Sequence, residues 1–240
     1  LEKLMTYQTD YISDEIALAQ HEKFKEWVLK ANIEKKIKLD VTLKSLYQNF
    51  ASPLWVFHLQ NPTEINNKIK ERAYLEREND LGVKRSNVNG WHSKIGFECF
   101  EEVFPIKLLM EGLVRQVLHD SREDKDIPIP EFEQQANIWC NINEPGSRNT
   151  IHNHPGTNIC GCYYVKVPEG DCGKLNLFRP NANDRSILQD NDRWGRSTIH
   201  IEPKEGMLLL FTPDQYHEVT PNNTKEDRIS LAFNINIRAV

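Results

Sequence analysis

From Phe132 onward the chain offers a succession of short runs of branched and aromatic residues, separated by turns and with no helical run between them. Phe132 to Asn143, Ile159 to Val167, Leu175 to Phe178, Thr198 to Ile201, Met207 to Phe211 and Ile229 to Ile237 read as strands. Glu144-Pro145-Gly146, Pro168-Glu169-Gly170-Asp171 and Cys172-Gly173 punctuate them as turns. Many short strands without crossover helices must pair with one another and bury a face, which leaves a sandwich or a barrel. The polar stretch at 181–197, with Trp194 as its one large anchor, reads as a long loop, either a lid or a tolerated insertion.

The residues before this region have a different composition. Ser52 to Leu59 is a proline-led aromatic run that reads as the first strand of the main domain. Residues 63–78 and 99–119 carry helical spacing, the second expected to be interrupted near Pro105, with a loop at Asn87 to Ser93 between them. Residues 1–50 are charged and helical, with Ile12, Ile16, Phe24, Trp27 and Val28 along one stripe. We therefore expect a helical N-terminal extension at 1–50 and one mainly β domain with packed helices, of α+β class, at 51–240.

A net charge of −5 argues against broad nucleic-acid binding, and no apolar run approaches the roughly 20 residues that span a bilayer. No membrane or nucleic-acid partner is expected, and a homo-oligomer stays open. The five cysteines are odd in number and sparse, and no signal-peptide pattern opens the sequence, so a reducing cytoplasm is expected. Cys160-Gly161-Cys162 with Cys172 lacks the usual paired spacing of a zinc site and reads as buried free thiols.

The chemistry is carried by two segments. In Thr150-Ile-His-Asn-His-Pro-Gly156, His152 and His154 share a face if the segment is extended, so both can aim at one metal. His217 follows an apolar strand and a short turn, and is a candidate third ligand. Next comes Arg228 to Asn234, which as a strand places Arg228, Ser230, Ala232 and Asn234 on one face and Ile229, Leu231 and Phe233 on the other. If helices cover the apolar face, the polar face points into a barrel. A buried guanidinium there needs an anion, and its fork suits a carboxylate. Ser230 could share the same oxygens.

At these residues the sequence resembles the iron(II)- and 2-oxoglutarate-dependent dioxygenases, in particular the phage and bacterial branch related to prolyl 4-hydroxylases. The resemblance rests on Gly90-Trp91-His92-Ser93, His152-Asn153-His154-Pro155, Ile159 to Tyr164, Pro203 to Gly206 leading into Leu208 to Phe211, and His217 with Arg228-Ile-Ser230. It covers roughly residues 52–238. It implies a double-stranded β-helix (a jelly-roll, cupin-like core), with the site in residues 130–240. His152 and His217 would ligate iron(II), and Arg228 with Ser230 would hold the distal carboxylate of 2-oxoglutarate. A facial set of protein ligands leaves positions for the 2-oxo acid and dioxygen. The implied activity is hydroxylation of an unidentified protein, peptide or small-molecule substrate, a peptidyl proline among them, with ascorbate as a possible accessory. A phage-encoded chain would act in the host cytoplasm.

The sequence departs from the common pattern in one place. Many members carry His-x-Asp or His-x-Glu, and this chain has His152-x-His154. Either His154 is the third ligand, giving three neutral histidines, or the third ligand comes from elsewhere. Tyr163 or Tyr164, but not both, is expected to point inward, and Tyr164 and Asn176 are carried as cosubstrate-binding candidates, with Asn137 as another inward polar residue. Trp194, His200 and Tyr216 are candidates for the substrate rim, and Trp91 and His92 for substrate contact or for anchoring a turn. Two other readings remain: a cupin-like metalloenzyme that needs no 2-oxoglutarate, and a barrel that binds a ligand or assembles without catalysis.

Overall fold

The structure, a computed structural model, describes residues 52–122, 126, 128–179 and 197–240. The helical segment expected at 1–50 and the expected loop with Trp194 lie outside the described residues. Strand β1 (Leu54–His58) leads into helix α1 (Thr63–Asn79), then β2 (Asn87–Val88) and β3 (Trp91–His92). Two short 3-10 turns, Phe97–Cys99 and Glu101–Val103, precede helix α2 (Phe104–Asp120). The remaining strands are β4 (Phe132–Asn143), β5 (Arg148–His152), β6 (Ile159–Lys166), β7 (Leu175–Phe178), β8 (Thr198–Ile201), β9 (Met207–Phe211), β10 (His217–Val219) and β11 (Arg228–Ala239).

These strands form two antiparallel sheets, a six-stranded one in the order β1-β9-β6-β11-β4-β3 and a five-stranded one in the order β2-β5-β10-β7-β8. The larger sheet is built on β11, which pairs with β4 from Arg228↔Asn143 to Ala239↔Phe132 and with β6 on its other side. Its outer face is closed by the helices. Ile69 and Ala73 of α1 and Met110, Val114 and Val117 of α2 share one buried cluster with Ile138, Ile142, Leu208, Leu210, Ile229 and Leu231. On the inner face, Cys160, Tyr164, Leu209 and Phe211 pack against Leu175 and Leu177 of the smaller sheet. The larger sheet is thus covered on both faces, which is why β9 reads as an unbroken apolar run whose five residues are all buried. The architecture is a mainly β jelly roll, a double-stranded β-helix with two helices packed outside.

Two contacts tie α1 to the sheet. The Tyr163 hydroxyl donates to Asn66 Oδ1 at 2.7 Å, and Arg77 pairs with Glu144 at 3.0 Å and with Asp227 at 3.2 Å, next to the start of β11. Gly161 on β6 is obligatory at its close approach, because a Cβ there would collide with the Leu209 carbonyl and the Phe233 ring.

Pro105 does not interrupt the second helix. It sits in the first turn of α2 and helps start it, since a proline there gives up an N–H that has no helical partner. Of the upstream apolar residues expected in the same helix, Val103 belongs to the second 3-10 turn and Phe100 lies between the two turns. The expected loop at 87–93 contributes two very short strands, and β10 begins at His217, directly after the expected short turn. Among the described residues no helix is long and apolar enough to cross a membrane.

Candidate functional site

Strands β5 and β10 pair antiparallel with His152 directly opposite His217. The ladder therefore brings together two imidazoles far apart in sequence, with ring centroids 4.3 Å apart. His154 lies just past the end of β5, where its backbone N–H donates to the Pro213 carbonyl at 3.0 Å. That bond docks the loop against the segment leading to His217. The His154 and His217 rings are nearly parallel, with centroids 5.1 Å apart, and their Nε2 atoms are 3.3 Å apart. The three potential ligand nitrogens all lie within 4.8 Å of one another, close enough to hold one metal ion.

Hydrogen bonds fix the tautomers of two of these rings. His152 Nδ1 faces the Thr150 carbonyl at 2.7 Å, and His217 Nδ1 faces the Gln215 carbonyl at 2.9 Å. A carbonyl only accepts, so Nδ1 carries the proton and Nε2 presents its lone pair, the arrangement by which a backbone carbonyl orients a metal-binding histidine. Burial disfavours the charged form of all three. It lowers His152, and with the neighbouring His152 it pulls His154 to about 4; burial, with His152 again adding to it, pulls His217 to about 3. At neutral pH the cluster is three neutral donors.

The histidines line a cavity of about 740 Å³ between the two sheets, a volume typical of small-ligand sites. Arg228, Ser230, Ala232 and Asn234 line it from β11, while Ile229, Leu231 and Phe233 are fully buried on the helix side. The polar and apolar faces of that strand thus fall as the alternation required. Arg228 is 2 % exposed. Its Nη1 donates to the carbonyls of Cys172 at 3.0 Å and Gly173 at 3.2 Å, and Nε has no partner. No acid among the described residues pairs with it, and burial holds its pKa below the usual guanidinium value. A buried cation without a counter-charge is costly, and an anion in the cavity would offset that cost. Tyr164 shares the cavity, and burial raises its phenol pKa.

Of the two tyrosines, Tyr164 points inward and Tyr163 points to the helices. Asn176, expected as a cosubstrate contact, is not among the residues that line the cavity. On β7 its neighbour Leu175 takes the inward position, so the alternation turns Asn176 away. Its amide donates to Glu218 at 2.9 Å and its oxygen lies 2.7 Å from His200 Nδ1, which takes His200 away from the cavity as well. Tyr216 and Asn137 are not among the lining residues either. Trp91 anchors a turn by donating to the Asp80 carbonyl at 2.8 Å, whereas His92 lines the cavity.

Sequence reasoning did not single out Trp139, Asn141 and Asn149, which line the cavity. Trp139 lies between two imidazoles, stacked on His92 at 5.7 Å and tilted toward His154 at 5.8 Å. The alternation of β4 was the available signal, since Trp139 and Asn141 share a face. Arg85, Ser86, Lys94 and Ile95 also line the cavity, and nothing in their local sequence marks them.

The donor set fits a divalent metal, since three neutral imidazoles converge, and the lone buried guanidinium fits a carboxylate in the same cavity. Residues 137–234 match the family model described as "Putative 2OG-Fe(II) oxygenase". No curated protein matches the chain. Among solved structures, a Pseudomonas putida prolyl 4-hydroxylase is similar with a TM-score of 0.54 at 16% identity, covering 78% of this chain and 93% of that one. A prolyl hydroxylase from Trichoplax adhaerens, in complex with a hypoxia inducible factor peptide fragment, has a TM-score of 0.53 at 13% identity, covering 76% and 83%. The non-heme alpha ketoglutarate dependent epimerase SnoN of nogalamycin biosynthesis has a TM-score of 0.54 at 10% identity, covering 77% and 76%. These identities speak to a shared fold, and the family match supplies the sequence side. The matched stretch, residues 137–234, lies in the jelly-roll domain, and the solved structures share its fold.

Proposed function

We propose that the protein is an iron(II)- and 2-oxoglutarate-dependent dioxygenase that hydroxylates its substrate, with His152, His154 and His217 as the metal ligands. The observation that carries this reading is Arg228, a buried guanidinium without a counter-ion in the same cavity as the three converging histidines. A metalloenzyme that needs no 2-oxo acid has no use for such a cation, which favours this reading over a cupin-like one.

When bound, iron(II) with 2-oxoglutarate and dioxygen supplies the oxidising power. One oxygen atom enters a C–H bond of the substrate, and the other leaves in succinate as carbon dioxide is released. The chain's own residues bind, orient and exclude water. Thr150 and Gln215 hold the His152 and His217 rings through Nδ1, so that Nε2 is presented without rotation. Arg228 grips the distal carboxylate of the 2-oxo acid, with Ser230 and Tyr164 beside it, while Leu175 and Phe211 give the cavity an apolar wall. The carbonyls of Cys172 and Gly173 fix the guanidinium before the ligand arrives, so little is lost in ordering it. A peptidyl substrate, prolyl residues included, is the first class to test, because two of the similar structures are prolyl hydroxylases and one holds a peptide.

The test is release of succinate and carbon dioxide that requires iron(II), together with titration of 2-oxoglutarate into the parent and Arg228→Ala. The variant is expected to lose 2-oxoglutarate binding. If it binds the 2-oxo acid as tightly as the parent, the anion clamp is wrong.

A further inference from the structure

The cavity is positively charged in a chain that is not. Acidic residues outnumber basic ones by 35 to 30, yet among the described residues no Asp or Glu lines the cavity, while Arg85, Lys94 and Arg228 do. The histidine cluster adds no negative charge, because His154 stands where a carboxylate is common.

The charge accounting rests on the proposed function. The two charges of iron(II) and those of the 2-oxoglutarate dianion cancel, so Arg228 remains uncompensated. Lys94 is neutralised by its ion pair with Asp80. Arg85 has no acidic partner among the described residues and adds a second unmatched positive charge at the opening.

Arg85 is also well placed. Its own N–H donates to Asn87 Oδ1 at 2.7 Å, and the neighbouring Ser86 carbonyl accepts from the Thr150 N–H at 2.8 Å. Asn149 Nδ2 donates to Ser86 Oγ at 3.2 Å, and β2 pairs with β5 at Asn87↔Asn149. On the other side, the Val83 N–H donates to the His92 carbonyl at 2.8 Å. The segment that carries Arg85 is therefore fastened to β5, the strand that carries His152, and to β3. A long side chain on a fixed base beside a partly desolvated cavity acts on an incoming anion more strongly than one on open surface. Its charge is felt at His92, which lines the same cavity.

We infer that the substrate is anionic, carrying a carboxylate or phosphate group that Arg85 holds at the cavity mouth while the reacting carbon faces the histidine cluster. Val83 and Ile95 beside Arg85 give that substrate an apolar contact flanking its acidic group.

The test uses the full chain loaded with zinc(II) and 2-oxoglutarate, which cannot turn over. Two matched pairs of probes are titrated by calorimetry or NMR: N-acetylglutamate methylamide against N-acetylglutamine methylamide, and N-acetyl-O-phosphoserine against N-acetylserine. At least one acidic probe is expected to bind about tenfold or more tightly than its neutral partner, more than an open-surface ion pair usually gives. Which pair shows the difference tells carboxylate from phosphate. Arg85→Gln is expected to bring that ratio close to one without changing the affinity for 2-oxoglutarate. Replacing the pair together, Lys94→Gln with Asp80→Asn, leaves the net charge at the cavity unchanged and is expected to keep it. Ratios near one in the parent, a ratio that survives Arg85→Gln, or one lost equally in the double variant would each overturn the inference. The 2-oxoglutarate titration in the same samples reads the dioxygenase assignment separately. A parent that does not bind the 2-oxo acid sinks that assignment, while an Arg85-dependent preference for acids would still stand.

Discussion

Nε2 of His154 and Nε2 of His217 lie 3.3 Å apart on nearly parallel rings, one from the loop after β5 and the other from β10. The Nδ1 proton of His217 is committed to the Gln215 carbonyl, so its lone pair faces His154. Two imidazole nitrogens at this distance need a proton or a cation between them. A neutral His154 protonated at Nε2 meets that need in the metal-free chain, and a metal ion bound by both rings would take the place of that proton.

We propose His154 as a ligand on equal terms with the other two. Each of His152→Ala, His154→Ala and His217→Ala is expected to weaken divalent-metal binding by more than about 100-fold, the upper end of the loss seen when only a second-shell partner is removed. His154→Asp is expected to retain metal, because it supplies a carboxylate at the same place. Equilibrium dialysis with manganese(II) or zinc(II) checks both. If His154→Ala keeps the parent's affinity, the third ligand is another group.

Gly173 supports the proposed anion clamp through its backbone. It sits at φ 88, its carbonyl accepts from Arg228 Nη1, and a Cβ there would stand 2.9 Å from Nη1 and collide with the Thr220 carbonyl. Gly173→Ala is expected to destabilise the domain by about 1–3 kcal/mol, for the strained backbone and the clash. It should also weaken 2-oxoglutarate binding while metal affinity stays near that of the parent. Denaturant unfolding and the two titrations give the three numbers, and equal losses of metal and 2-oxo acid would argue for general unfolding of the site.

Arg228→Met separates binding from folding. The substitution keeps most of the buried volume and removes a charge that has no acidic partner among the described residues. Ligand-free stability is expected to change by less than about 1 kcal/mol or to rise, since an uncompensated buried charge is a burden on the fold. Binding of 2-oxoglutarate should be lost. A variant that unfolds readily without ligand would show that the guanidinium is mainly a structural support for the Cys172–Gly173 turn.

Stability of the metal-free chain should fall in mild acid. His92, His152, His154 and His217 all have pKa values lowered by burial from the usual 6.5. As pH drops below about 6.5, the unfolded chain takes up protons that the folded chain refuses, so unfolding becomes easier. The stabilisation is complete above the unfolded value and is lost as pH falls through the folded values, His154 near 4 and His217 near 3. The urea midpoint measured with chelator present should be lower at pH 5 than at pH 7.5, corresponding to a loss on the order of 1 kcal/mol or more. Saturating metal should reduce the dependence over the range where it stays bound, because protons then compete with an occupied site. A flat profile between these pH values would mean that the rings titrate freely in the fold.

The sequence by itself determined the features that are local. Period-two alternation in Arg228 to Asn234 assigned its polar and apolar faces, and the runs Phe132 to Asn143, Leu175 to Phe178 and Met207 to Phe211 appear as strands with those same ends. The histidines and the arginine were also legible, because few other uses combine them. Tertiary structure decided what depends on partners distant in the chain. β5 and β10 are short and polar, and nothing in either marks it as a strand until the ladder sets His152 opposite His217. Asn176 in isolation reads as an inward polar residue, and only the seating of Leu175 against the inter-sheet core turns it outward. Arg85 is one charged residue among many in sequence, and the pairing of β2 with β5 is what brings it to the cavity mouth. Alternation along one strand is fixed by the backbone, whereas the choice of facing strand, and so the composition of the cavity, is fixed by packing over the whole domain.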